Sequence, residues 1–223
     1  MNRMFAYSLV AVIAVFLFSA WAYPLLSENI AVHWNAEGAP DGFGGKQTVF
    51  LVPALALAIL LLMWFIPSLD PLKKNIDKFR GAYNKFILVM VLFLGYLSVL
   101  MTAFNLGWVK DFIGSLLPAF AVLFYFVGVL LSHAKQSWFI GIRTPWTMSS
   151  EYSWNKTHEL GAKMFKSGAI AFLVISFLVP QAAFWGLIGL AIAFSLALVI
   201  LSYFYWKEDK RGVKVKPSKR RKR

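Results

Sequence analysis

Apolar tracts separated by short polar segments run the length of the chain, and their lengths predict the fold. Phe5 to Leu26, Val49 to Ile66, Phe86 to Leu106 and Phe112 to Leu131 each run about twenty residues without Asp, Glu, Lys or Arg. A helix needs about twenty such residues to cross roughly 30 Å of hydrocarbon. A last uncharged tract, Ser167 to Trp206, holds about forty residues. At about 1.5 Å per residue it is twice too long for one span. Pro180-Gln181 near its middle breaks it into two helices joined tightly. The pattern predicts an all-α integral membrane protein with six transmembrane helices.

The first tract is too long for the apolar core of a signal peptide. Trp21, Tyr23 and Pro24 stand where a small-x-small cleavage site would be, so an uncleaved first span is expected. Pro118 falls early in the fourth span, where the first turns of a helix tolerate it. Trp21, Tyr23, Trp64, Trp108, Trp185, Tyr203, Tyr205 and Trp206 lie near span ends, as interfacial aromatics do. His133, just past the fourth span, reads as interfacial too. Residues 1–206 form one membrane domain interrupted by two polar segments too long to be connectors, about residues 27–48 and 132–166. Each half reads as a span, a long loop and two spans, the layout of an inverted repeat.

Charge orients the chain. With the N-terminus inside, 21 of the 23 Lys and Arg residues fall on the inner side, leaving only Lys46 and Lys110 outside. Cytoplasmic loops carry such an excess, so both termini are expected in the cytoplasm. The net charge of +13 is therefore mostly a topology signal. Much of it sits in residues 207–223, a basic cytoplasmic tail expected to be disordered and drawn to anionic inner-leaflet lipids. The tail has no aromatics or fold for reading bases, so no direct nucleic-acid partner is expected. The chain has no cysteine, which excludes disulfides and thiolate metal sites. No Asp, Glu, Lys or Arg lies inside a span, whereas pumps and exchangers place such groups there. A transporter or channel for a neutral or lipid-like substrate remains the alternative reading.

The outer segment contains VHWNAEGAPDGFGGK, residues 32–46. NAEG and PDGFGG are turn chemistry, and IAVHW alternates like a short extended segment. A compact loop lying across the outer helix ends is expected. His33, Asn35 and Asp41 are types that suit zinc or a similar ion, but their spacing matches no metal motif. The His-Asp pair has no accompanying nucleophile or placed substrate. No metal, cofactor or catalytic residue is expected, and the three are instead expected to form a shared polar core. The stretch from Tyr23 to Lys46 resembles a short module of unknown function found in bacterial and archaeal membrane proteins. It matches at Tyr23, Pro24, Leu26, Ile30, His33, Trp34, Asn35, Gly38, Pro40, Asp41, Gly42 and Lys46, and departs at Ser27 and Ala31, where prolines are common. The resemblance implies a ligand-facing loop carried by His33, Trp34, Asn35, Pro40, Asp41 and Lys46.

The inner segment holds WFIGIRTPWTMSSEYSWNKTHELGAKMF, residues 138–165. Pro145 breaks the chain, and Ser149 and Ser150 are N-cap candidates with Glu151 following. Trp154, Thr157, His158, Gly161 and Phe165 then share one helical face, while Lys156, Glu159, Lys163 and Lys166 fill the rest. A short amphipathic helix at the inner lipid interface is expected. Asn155-Lys156-Thr157 matches a glycosylation sequon, which a cytoplasmic position voids. Arg143 beside Thr144, Pro145 and Trp146 suits either lipid phosphate or charge-assisted bonds to helix ends.

This stretch resembles the signature of the SdpI-type immunity proteins at Gly141, Ile142, Arg143, Thr144, Pro145, Trp146, Thr147, Trp154, Thr157, His158 and Gly161. Gln136 stands where that family often has Asn. The resemblance implies a non-enzymatic, multi-pass protein of a bacterial or archaeal cell membrane. It implies protection against a secreted, membrane-active peptide toxin at the outer loop. It also implies sequestration of a transcriptional repressor at the inner loop, through Gly141 to Thr147, Trp154, Thr157 and His158.

Overall fold

A computed structural model of the chain describes residues 3–212. Six of its helices are long and apolar enough to cross a membrane. They are α1 (Arg3–Ala22), α2 (Leu51–Leu69), α4 (Arg80–Asn105), α5 (Phe112–Leu131), α7 (Glu151–Leu178) and α8 (Pro180–Lys210). Two short helices, α3 (Lys73–Asp77) and α6 (Pro145–Ser149), lie between them. The protein is an all-α, six-span membrane protein. An even number of crossings returns the chain to its starting face. Both ends therefore lie on one face, called inner below, and the connection from α1 to α2 lies on the other, called outer.

The helices pack as two trios. In the first, α4 lies against both α1 and α2, and Tyr83, Ile87, Val91 and Leu94 bury against Val12, Ala56 and Leu60. Gly95 sets the closeness of α1 to α4, since a Cβ there would stand 3.0 Å from Val15. In the second, α7 lies between α5 and α8. Gly128 of α5 meets Lys166 and the Ala162 carbonyl of α7, and Gly168 of α7 meets Phe194 of α8. Contact of α4 with α5 joins the trios. The hub of the first trio is its third span and that of the second its middle span. Three-span halves are present, therefore, but they do not share one packing order.

The fifth span differs from expectation. No break separates an interfacial helix from it: α7 runs unbroken for 28 residues. The face expected to meet lipid instead buries Trp154, Thr157, His158 and Gly161 inside the protein. Those residues find partners in the preceding loop, and no proline or paired glycine interrupts the helix between Glu151 and Leu178. Val179 separates α7 from α8, as the Pro180 break predicts. Helix α8 continues to Lys210, so residues 207–210 are helical rather than tail. The rest of the expected disordered tail, residues 213–223, lies outside the described residues. Pro118 sits in the second turn of α5, whose N-cap is Asp111; its carboxylate accepts from the Gly114 amide.

Candidate functional site

On the outer face the polar segment folds into an antiparallel hairpin of β1 (Asn29–Trp34) and β2 (Pro40–Gly45). Asn35 closes its turn. The Asn35 side-chain oxygen accepts from the amides of Glu37 (3.1 Å) and Ala39 (2.9 Å), and its backbone carbonyl accepts from Gly38. Gly38 has φ +82°, a conformation that favours glycine. Register irregularities at His33 bring Gly42 against it, and a Cβ on Gly42 would stand 2.8 Å from the His33 Cβ.

The hairpin is docked by one face. Asn105, the last residue of α4, accepts from the Ala31 amide at 2.7 Å and donates to the Ala31 carbonyl at 3.0 Å. It thereby satisfies both backbone groups of a strand residue, as a neighbouring strand would. Trp34 is buried, stacked on Phe112 at 3.6 Å and met edge-on by Phe104. Lys46 pairs with Glu28 at 2.8 Å and lies over the Tyr23 ring. The other face is open. His33 Nδ1 meets Asp41 Oδ1 at 2.5 Å, with side-chain exposures of 70% and 45%. Val32, Phe43 and Pro40 are exposed beside them. The expected shared polar core is thus divided. His33 and Asp41 form an exposed pair, whereas Asn35, past the end of β1, is committed to the turn. Among the described residues no group of three or more His, Cys, Asp or Glu side chains is placed to hold a metal.

The inner segment is a knot of hydrogen bonds. Thr144 caps α6 and Thr147 returns the bond, each hydroxyl accepting from the other residue's amide. Thr147 also donates to the Ile142 carbonyl at 2.8 Å. Pro145, lacking an amide hydrogen, takes the first helical position, where none is needed. Gln136 donates to the carbonyls of Thr147 and Met148, both at 2.8 Å, closing the far end of α6. His158 accepts from the Ile142 amide at 3.0 Å through Nε2, and its Nδ1 faces the Trp154 carbonyl at 2.8 Å. The neutral ring with its hydrogen on Nδ1 satisfies both neighbours. That ring stacks on Trp154 at 4.0 Å, and the Trp154 indole donates to the Ala134 carbonyl.

Gly141 crosses this stack with φ +112°, and a Cβ there would stand 2.5 Å from His158 Nε2. Thr157 is fully buried, and its hydroxyl has no partner among the described residues. Arg143 projects outward and donates to the Trp138 carbonyl, pinning the loop to itself rather than to a helix end. Trp146 packs edge-on against Tyr203 of α8.

Two profile matches divide along the same two regions. The SdpI/YfhL protein family matches residues 133–205, and a domain of unknown function (DUF1648) matches residues 10–57. Immunity protein SdpI of Bacillus subtilis (strain 168) is 24% identical over 203 residues, covering 90% of this chain and 95% of that protein. The chain is thus similar to the SdpI-type proteins along most of its length. No solved structure matches it. With six helices of membrane-crossing length and this likeness, it is a multi-pass cell-membrane protein. The first matched stretch runs from within α1 through the hairpin to the start of α2; the second runs from His133 through the inner knot to the last turns of α8.

Several residues that hold these regions carry no motif. Asp70 is 2% exposed, and its carboxylate accepts from the amides of Leu72 (2.7 Å), Trp138 (2.9 Å) and Phe139 (3.2 Å). It ties the α2–α3 turn to the signature loop. Ser202 of α8 bonds the Thr144 hydroxyl and accepts from Ser153 through its carbonyl. Ser150 donates to Asp209 and Tyr152 to Glu208, so two acids next to the basic tail clamp the start of α7. Asp70 precedes Pro71, an Asx-Pro signal for the local turn but not for its bonds to the distant loop. Asn105, Ser202, Glu208 and Asp209 have no local signal, because their partners are far along the chain.

Proposed function

We propose that this protein is an immunity and sensing protein whose hairpin faces the outside of the cell and meets a membrane-active peptide toxin. The Lys and Arg asymmetry supports a cytoplasmic inner face. The observation that carries the reading is the divided hairpin, with one face fixed to α4 and α5 and the other presenting His33, Asp41, Val32 and Phe43 to the outside. An exposed surface joining apolar and charged groups suits an amphipathic peptide. Pro40, Trp34, Asn35 and Lys46 shape that surface by holding the turn and the strand ends.

On the cytoplasmic face, Arg143, Pro145, Trp138 and Phe139 are exposed over the knot of Gly141, Thr144, Trp146, Thr147, Trp154, Thr157 and His158. This surface docks a partner, a repressor in the sensing form of the function. A toxin that binds one arrangement of the hairpin better than another shifts the helix ends it rests on by that difference in affinity. Asn105 and Phe112 mark the outer ends of α4 and α5, and the Asp70 turn after α2 and the Leu131 end of α5 lie on the inner face.

The test is survival of a toxin-sensitive host expressing the protein under challenge with membrane-depolarising peptides, with membrane fractionation of candidate repressors. Wild type protects, His33→Ala and Asp41→Ala lose protection, and Arg143→Ala loses recruitment only. Failure of wild type to protect against any such agent, with no partner recruited, overturns the reading in favour of transport.

A further inference from the structure

The inner ends of α2 and α4, with α3 between them, enclose a groove of about 460 Å³ that belongs to neither the hairpin nor the signature loop. That size lies within the range of small-ligand sites, about 300–1,000 Å³. Its walls are rigid, since the Tyr83 hydroxyl donates to the Met63 carbonyl at 2.7 Å and joins α4 to α2. Trp64, Ser68, Lys73, Asp77, Arg80 and Asn84 line it.

The polar groups in the groove are under-used. Asn84 is only 7% exposed, and its amide has no hydrogen-bond partner among the described residues. The amide opens into the groove, where an incoming oxygen can accept from it. The Lys73 ammonium is likewise unpartnered there. Arg80 gives one nitrogen to Asp77 at 2.8 Å, which leaves most of its five donors uncommitted. Two cations against one carboxylate leave one positive charge over. Its complement is a monoanion rich in acceptors, such as a phosphodiester.

We propose that this groove seats the phosphate of an anionic phospholipid from the leaflet on the inner face. Lys73 and Arg80 supply the charge, and the Asn84 amide donates to a phosphate oxygen. The membrane source follows from the surroundings. Leu61, Leu62, Phe65 and Leu69 are exposed along α2 beside the groove, where acyl chains would lie, and Trp64 is the interfacial type of aromatic. A free phosphate has no use for that flank. The site is independent of the immunity reading and stands or falls apart from it.

The experiment uses the full chain purified in a delipidating detergent. Its melting temperature and native mass spectrum are recorded with added phosphatidylglycerol, with phosphatidylcholine and with inorganic phosphate. Phosphatidylglycerol is expected to raise the melting temperature and remain bound, whereas the other two do neither. Asn84→Asp, which keeps the size but adds a negative charge, and Lys73→Gln each weaken retention about tenfold, as loss of a hydrogen bond to a charged group does. Lys85→Gln, one residue along α4 and outside the groove, leaves retention unchanged. An equal loss in Lys85→Gln would reduce the effect to general charge and overturn the site. Stabilisation by inorganic phosphate with the same dependence on Asn84, and none by phosphatidylglycerol, would overturn the lipid assignment.

Discussion

The hairpin and the signature loop are equally dense in polar residues, yet they spend them in opposite ways. In the hairpin the most polar pair, His33 and Asp41, faces solvent, and the fold is held by backbone groups, an aromatic stack and one asparagine from another helix. In the signature loop, Thr144, Thr147, Ser150, Ser153, Thr157 and His158 are all buried. There the side chains themselves are the scaffold, and of the motif only Arg143 and Pro145 are well exposed. A motif residue in the first region is therefore available to a ligand, while one in the second is mostly committed to shape. The same imidazole shows both uses. His33 is a surface group with one partner, and His158 is an internal bridge between Ile142 and Trp154.

The largest expected effect tests whether the inner knot tolerates any change at its crossing point. Gly141→Ala forces a Cβ into His158 and Trp154 at a φ of +112°. Strain at a left-handed position and overpacking together cost about 3–5 kcal/mol. The expected outcome is loss of monodisperse protein in size-exclusion chromatography, or a strongly lowered melting temperature. Gly81→Ala, on a helix with nothing within 4 Å of the new Cβ, should be neutral or slightly stabilising, as alanine favours a helix.

Next comes Asp70→Asn. The carboxylate uses both oxygens as acceptors, and an amide turns a donor toward at least one backbone amide that already donates. Losing a charge-assisted bond and leaving a buried amide unpaired costs about 2–3 kcal/mol. Hydrogen exchange should show the amides of Trp138 and Phe139 losing protection while those of the hairpin keep theirs. Loss of protection in the hairpin as well would mean that the two regions unfold as one.

Much of the fold is legible in the sequence, because spans are set by length and apolar content within one segment. Phe112–Leu131 and the break at Pro180 are read directly, and the turn at Asn35–Gly38 follows from turn chemistry. The misreadings share one cause. Trp154, His158 and Gly161 lie on one helical face, and periodicity shows that the face is distinct without showing what covers it. The amphipathic pattern suggests lipid, whereas the loop from Ala134 to Ile142 covers that face. His33, Asn35 and Asp41 group by residue type, but turn bonds hold Asn35 apart from the His33–Asp41 pair. Asp70, Asn105 and Ser202 act across 68, 74 and 58 residues of chain, beyond the reach of local pattern.

Asn105→Ala sharpens the comparison from the outer side. It removes both bonds to Ala31 and leaves that strand residue's amide and carbonyl to find water. A cost of about 1–3 kcal/mol is expected, confined to the hairpin. Proteolysis between Asn29 and Gly45 should accelerate, and the exchange protection of the inner loop should hold.

The smallest expected effect on stability belongs to the residues with the largest proposed role. His33→Ala and Asp41→Ala remove a pair exposed to 70% and 45%. Exposed ion pairs contribute about 0–1 kcal/mol, and surface substitutions away from special features stay within about 0.5 kcal/mol. Melting temperatures in detergent should therefore barely move, in contrast to His158→Ala, which strips the acceptor from Ile142 and the stack from Trp154 and should cost about 1–3 kcal/mol. The contrast between the two histidines separates surface from scaffold. If His33→Ala destabilises as much as His158→Ala, the hairpin's outer face is structural, and the division between the two regions collapses. If stability holds while protection against a membrane-active peptide is lost, the exposed pair acts on something outside the protein, and the docked hairpin is the platform that presents it.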